Sequence, residues 1–106
     1  MENLHPTLWR TCRTLANSRR LACLKAVFAN PGSSVEAIAE AAHIPHAQAS
    51  LCLRALQARG LIRAERQSRW VRYSPVPDSS VPSAAPILTA LQRAFFHDTT
   101  LWQKKH

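Results

Sequence analysis

Residues 33–60 read SSVEAIAEAAHIPHAQASLCLRALQARG, and two helices with a tight break are written in them. Ser33-Ser34-Val35-Glu36 has the form of a capping box, a serine and a glutamate each satisfying a backbone N–H that a helix start leaves orphaned. The helix that follows is short, with Val35, Ile38, Ala39 and Ala42 as its inner face. His43-Ile44-Pro45 ends it, because the residue before proline is pushed out of the helical region. A second helix starts at Pro45 or His46 and runs to Arg59, with Ala49, Leu53 and Leu56 turned inward. Gly60 stands where a left-handed C-terminal cap is expected. Two short helices joined by so little chain outline a helix-turn-helix.

Upstream, Leu8, Cys12 and Leu15 recur at helical spacing, which predicts a helix over Thr7 to Ala16. Asn17-Ser18 interrupts it, and either side chain can cap a second helix that runs to about Ala29 with Leu21, Leu24, Val27 and Phe28 on one face. Asn30-Pro31-Gly32 is a strong stop. Downstream of Gly60 the apolar period changes to two. Leu61 to Arg66 and Trp70 to Ser74 read as strands around Gln67-Ser68-Arg69, a hairpin of the kind called a wing. Pro75 to Pro86 hold four of the seven prolines and form a linker. A last helix begins near Ala84 or Pro86, with Ile87, Leu88, Leu91, Ala94 and Phe95 at helical spacing. The expected fold is mainly α with a small β-hairpin: a winged helix-turn-helix of about five helices and a two-stranded wing. It forms one domain over residues 1–106, with its core at 7–74, the linker at 75–86 and the last helix at about 86–97.

The composition, 46% hydrophobic and 19% charged over 106 residues, is that of an ordinary globular chain. No apolar run approaches the ~20 residues of a membrane span. Met1-Glu2-Asn3-Leu4-His5-Pro6 lacks the basic-then-apolar pattern of a signal peptide, so a cytoplasmic location is expected. The formal net charge of +8 favours a polyanionic partner, since neutralised phosphates release condensed counterions. That charge is concentrated: nothing acidic lies between Glu40 and Glu65, and Arg63, Arg66, Arg69 and Arg72 then fall in one short segment. Cys12, Cys23 and Cys52 are too scattered for a disulfide framework or a CxxC site.

The order of these parts resembles the ArsR group of bacterial repressors, and so do individual stretches. Leu15-Ala16-Asn17-Ser18-Arg19-Arg20 with Leu24 is similar to the family's Leu-Ala-Asp-Pro-x-Arg opening of its second helix. Ser34-Val35-Glu36-Ala37-Ile38-Ala39 resembles Ser-Val-x-Glu-Leu-Ala. Ser50, Leu53, Leu56 and Gly60-Leu61-Ile62 resemble Ser-x-x-Leu-x-x-Leu-x-x-x-Gly-Leu-Val, and Arg69-Trp70-Val71-Arg72-Tyr73 matches the second wing strand. The resemblance spans about residues 15 to 74. It implies a homodimeric transcriptional repressor held by its first and last helices, here through Leu8, Cys12, Ile87, Leu88, Leu91 and Phe95. It implies double-stranded DNA as partner, with a recognition helix in each major groove and a near-palindromic operator.

With Ala49, Leu53 and Leu56 inward, Ala47, Leu51, Arg54 and Ala58 face outward, flanked by Gln48 and Ser50. Gln48 can bond an adenine through both amide groups, and Arg54 can reach a guanine or a phosphate. Ser50 suits a phosphate or an adaptable base contact, and His46 lies at the helix start, where phosphates are favoured. Leu51-Cys52 departs from the polar pair common in the family. Leu51 suits a thymine methyl, or equally a protein surface. Arg66, Arg69 and Arg72 suit phosphates or a narrow minor groove, and Trp70 reads as partial core or a lid on the hairpin.

The family's metal motifs are missing from the sequence: the third helix has no Cys-x-Cys, and His97-Asp98 reverses the Asp-x-His order. No cofactor is expected. There is no Gly-rich phosphate loop and no catalytic His, Cys and acid cluster, so an enzyme is not expected. Cys23 reads as a small core residue. Cys52, beside Arg54, is the candidate for a reactive thiol. Two alternatives therefore stand beside the DNA-binding reading: a protein-interaction module using Leu51, Trp70 and the last helix, and a thiol-responsive regulator using Cys52.

Overall fold

Asn17 decides where the first two helices part. Its backbone is extended, and its side-chain oxygen accepts the Arg20 backbone N–H at 3.0 Å. Arg20 answers by donating its guanidinium to the Thr14 carbonyl at 3.2 Å, which closes the end of the preceding helix. The resulting elements are α1 (Pro6–Leu15) and α2 (Ser18–Ala29). They are followed by α3 (Val35–Ala42), α4 (His46–Ala58), β1 (Ile62–Gln67), β2 (Trp70–Pro75) and α5 (Ala84–Arg93). A π-helical turn, Ala94–Asp98, extends α5. The computed structural model describes residues 6–76 and 84–98. The architecture is five helices with a two-stranded antiparallel hairpin, as expected.

The start of α3 differs from the expected capping box. Ser34 alone is the cap, its Oγ accepting the Ala37 N–H at 3.2 Å. Glu36 is then only the second helical residue, too early to reach back. It lies instead 3.7 Å from Nε2 of His46. Ser33 is taken up elsewhere, its hydroxyl donating to the Asn30 carbonyl and its backbone pairing with Tyr73.

The break of the helix-turn-helix falls at His43-Ile44-Pro45 as expected, but a left-handed cap at His43 rather than Pro45 closes α3. His43 adopts a left-handed conformation (φ 58°), and the Ile44 N–H reaches back to the Ala39 carbonyl at 3.1 Å. At the end of α4 the same arrangement recurs, with Gly60 at φ 72° and the Leu61 N–H on the Leu56 carbonyl at 3.1 Å. Both helices thus satisfy their last carbonyls through a left-handed residue. Glycine adopts that conformation freely, whereas His43 bears a steric cost of about 1–2 kcal/mol.

The hairpin pairs Ile62 with Pro75 through to Gln67 with Trp70, so its loop is only Ser68-Arg69. Ser68 supplies the positive φ (60°) that this turn needs. Pro75 belongs to β2 and α5 begins at Ala84, one of its two expected starts, while residues 77–83 of the expected linker lie outside the described residues. A third backbone segment joins the sheet edge. The Gly32 N–H donates to the Tyr73 carbonyl, and the Tyr73 N–H to the Ser33 carbonyl, both at 2.8 Å.

The core lies where α2, α3 and α4 meet. Leu24 and Val27, Ile38, and Ala49, Leu53 and Leu56 are fully buried together, with Leu61 and Ile62 below and Leu88 of α5 closing one side. Each such aliphatic side chain contributes roughly 1.5–3 kcal/mol on burial. The α2–α4 seam holds two thiols in contact, Cys23 and Cys52. Burial, and secondarily the neighbouring Cys52, push the Cys23 thiol up to about 12, so it stays protonated at neutral pH. No helix among the described residues is long and apolar enough to cross a membrane.

Two consequences are measurable. Native protein treated with a thiol reagent should leave Cys23 and Cys52 unlabelled until denaturant is added. Rapid labelling of Cys23 or Cys52 would contradict the closed seam. Thr11 is fully buried, and its hydroxyl has no partner among the described residues. Thr11→Val removes that orphaned group at similar shape and should stabilise by about 1 kcal/mol. For a domain of this size that is a rise of roughly 4–8 °C in Tm, and a fall would show that the hydroxyl is bonded in solution.

Candidate nucleic-acid interface

Burying one row of α4 leaves the opposite row without an intramolecular partner. Leu51 is 63% exposed, with Ala47, Arg54 and Ala58 also exposed and Gln48 and Ser50 half-buried at the margins. His46 opens the helix, and Pro45 before it provides no side-chain cap. The backbone N–H groups of that first turn are thus left for an external acceptor. Close by, Glu36 of α3 sets a carboxylate against His46, so positive charge there is partly offset.

The wing's four arginines are not equivalent. Trp70 and Arg72 project from the outer face of the hairpin, whereas Arg66 pairs across from Val71 and shares the inward-facing register of Val71 and Tyr73. The structure therefore separates Arg66 from Arg72, which the sequence reading had grouped. Arg63 lies 3.8 Å from Glu65. Arg72 is tethered by a 3.1 Å bond from its guanidinium to the Gly32 carbonyl, although other donors of the fork remain free. Arg69 occupies the exposed tip. Trp70 is not a core or lid residue: it is 59% exposed. It shares a groove of about 410 Å³ with Ser34, Ala37, Val71 and Arg72. The start of α3 therefore connects the wing to the start of α4, through this groove on one side and the Glu36–His46 pair on the other.

A second cleft, about 150 Å³, opens on another flank of α4 and is lined by Asn17, Arg19, Arg20, Gln48, Leu51 and Cys52. Arg19 and Arg20, which match the family's opening of its second helix, are not among the expected DNA-binding residues. Their signal was an acid-free run over residues 3–35 containing Arg10, Arg13, Arg19, Arg20 and Lys25.

The residues expected at a dimer interface divide. Cys12 is exposed and Leu8 half-buried on α1. Ile87, Leu91 and Phe95 are half-buried against the chain's own core, the Phe95 ring 6.1 Å from that of Phe28. Leu88 is buried inside the protomer, which removes it from any outer surface. The large apolar side chains that the terminal helices do expose are Trp9 and Phe96. The placement of Cys52 opposes the reactive-thiol reading: it is only 8% exposed and packs against buried Cys23. Among the described residues no three His, Cys, Asp or Glu side chains stand close enough to hold a metal ion.

No family model matches the chain, and no curated protein matches its sequence. Solved structures do match. HlyU from Vibrio cholerae superposes with a TM-score of 0.69 at 24% identity, over 89% of this chain and 97% of that one. NolR from Sinorhizobium fredii gives 0.65 at 26% identity, over 89% and 96%. A third match is a homodimeric winged helix-turn-helix DNA-binding domain, Mb0332 from Mycobacterium bovis, described as a possible ArsR-family transcriptional regulator. It is 31% identical, with a TM-score of 0.65 over 83% of this chain and 77% of that one. With that identity over most of both chains, and with the helix-turn-helix and wing in the same order, this chain belongs to the ArsR family of winged helix-turn-helix transcriptional regulators.

Proposed function

We propose that this chain is a sequence-specific DNA-binding regulator that represses transcription as a homodimer on a near-palindromic operator, and that it is not an enzyme. The observation that carries the reading is the exposed outer row of α4, with Leu51 and Arg54 on it and Gln48 at its margin, adjoining a cationic wing in a chain of net charge +8. A helix of about 10–12 Å diameter fits a major groove of about 12 Å. In that pose Gln48 pairs with an adenine, Leu51 meets a thymine methyl, and Arg54 takes a guanine or a phosphate. Ser50 and His46 serve the backbone at the helix margin. Arg69 is the principal wing anchor, since Arg72 is partly engaged by Gly32. Arg66, on the other hairpin face, reaches DNA only near the tip.

Homodimer formation has two supports: the Mycobacterium bovis relative is described as homodimeric, and α1 and the end of α5 expose Trp9 and Phe96. Leu8, Cys12, Ile87, Leu91 and Phe95 would surround these two rings. Light scattering at micromolar concentration should give twice the 11.8 kDa chain mass, and a stable monomer would remove the dimer from the mechanism.

The direct test is fluorescence anisotropy with DNA from the gene's own upstream region against a scrambled duplex. A preference of about 1,000-fold or more is expected of a specific regulator. Equal, salt-erased binding to both would favour a protein-interaction role for Leu51 and Trp70. Replacing Arg69 and Arg72 together by alanine should weaken binding on every sequence and flatten the salt dependence. Gln48→Ala should instead relax discrimination at one base pair, by about 1–3 kcal/mol, in a panel of single-base variants.

A further inference from the structure

The wing accounts for only one side of a helix lying in a groove. Helical spacing about Leu51 sends Gln48 and Cys52 to one flank of α4, and Ser50, Arg54 and His46 to the other. The Glu36 contact fixes the identity of the second flank: it adjoins the start of α3, and through it the groove beneath Trp70 and Arg72. The first flank adjoins the opening turn of α2, where Arg19 and Arg20 line the cleft with Gln48, Leu51 and Cys52. A major groove is bordered by phosphates on both sides, and α4 nearly fills its width. Cations on each flank of the helix therefore face separate backbones.

From this juxtaposition we propose that Arg19 is a second phosphate clamp, gripping the DNA backbone along the groove edge opposite the wing. Its side chain is exposed and has no partner among the described residues. Arg20 has a different task, since its guanidinium closes α1 on the Thr14 carbonyl. Arg13, exposed in the last turn of α1, adds positive charge to the same acid-free segment. With both edges held, α4 is fixed in the groove against rolling about its own axis, which the wing alone does not achieve. The clamp rests on the docking of α4 proposed above, and it is sequence-independent because phosphates are the same at every step.

The test uses the full chain and a fluorescein-labelled mixed-sequence duplex of ~30 base pairs, titrated between ~50 and ~200 mM salt, so that no operator need be known. The variants are Arg19→Gln, Arg19→Lys, the Arg69→Ala/Arg72→Ala pair, and Arg19→Gln combined with that pair. Each lost phosphate contact reduces the slope of log affinity against log salt by about 0.9, or about 3.5-fold in relative affinity across that range. Arg19→Gln should show this loss per bound protomer at unchanged Tm, Arg19→Lys should restore it, and the combined variant should lose the sum. A wild-type slope in Arg19→Gln, while the wing variant loses its own, overturns the clamp and leaves the DNA reading standing. A combined variant no flatter than the wing pair alone also overturns it, because the two groups would then share phosphates. Absence of salt-dependent binding by the wild type removes the DNA reading, and the clamp with it.

Discussion

Burial of the row Ala49, Leu53 and Leu56 against α2 and α3 is the constraint from which the rest follows. A helix has one rotation about its axis, so fixing the inner row fixes the outer one. Gln48, Leu51 and Arg54 are presented because the core leaves them nowhere else to go. The smallness of Ala49 lets α4 lie close to its neighbours, and close-packed interiors transmit any change of volume to what surrounds them. Cys23 and Cys52 behave as part of that packing: two compact side chains filling the seam between α2 and α4, one of them held protonated by its burial. Stability and presentation of the outer face are thus one problem for this chain, solved by one set of contacts.

Much of this was legible because it rests on local patterns. Helical periodicity placed α1 to α4 within a residue or two, and the change of period after Gly60 placed the hairpin. Gly60 itself marked the end of α4. What escaped were interactions between side chains and distant backbone, which leave no periodic trace. Nothing in the spacing shows that Arg20 closes α1 on Thr14, that Arg72 reaches Gly32, or that Ser33 pairs with Tyr73. The capping box failed for a related reason: two adjacent serines fit the pattern, and sheet pairing claimed the first. Leu88 and its neighbours read as one apolar stripe, and sequence alone does not divide such a stripe between a core and an outer surface.

The charges follow the same division. Net charge was plain from composition, but its use depends on which arginines are already engaged. Of the candidates, Arg72 is tethered, Arg63 faces Glu65, and Arg20 braces a helix end, while Arg69 and Arg19 stand free among the described residues. Exposed pairs such as Glu36–His46 and Arg63–Glu65 contribute little to stability. Arg69 at the wing tip and Arg19 at the opening of α2 have no such carboxylate beside them among the described residues.

The bond from Gly32 and Ser33 to Tyr73 has a consequence for how the molecule comes into being. It joins residues about 40 positions apart, and the whole helix-turn-helix lies inside the loop it closes. Contacts within and between α2, α3 and α4 span shorter stretches, and closing a long loop is entropically dearer than closing a short one. The helical unit α2 to α4 therefore closes at a lower entropic cost than the sheet contact that encloses α3 and α4. The pairing of Tyr73 with Gly32 and Ser33 staples the hairpin back to the start of the helix-turn-helix. A chain truncated before Tyr73 would carry the helix-turn-helix without the strand that ties the wing to the start of α3.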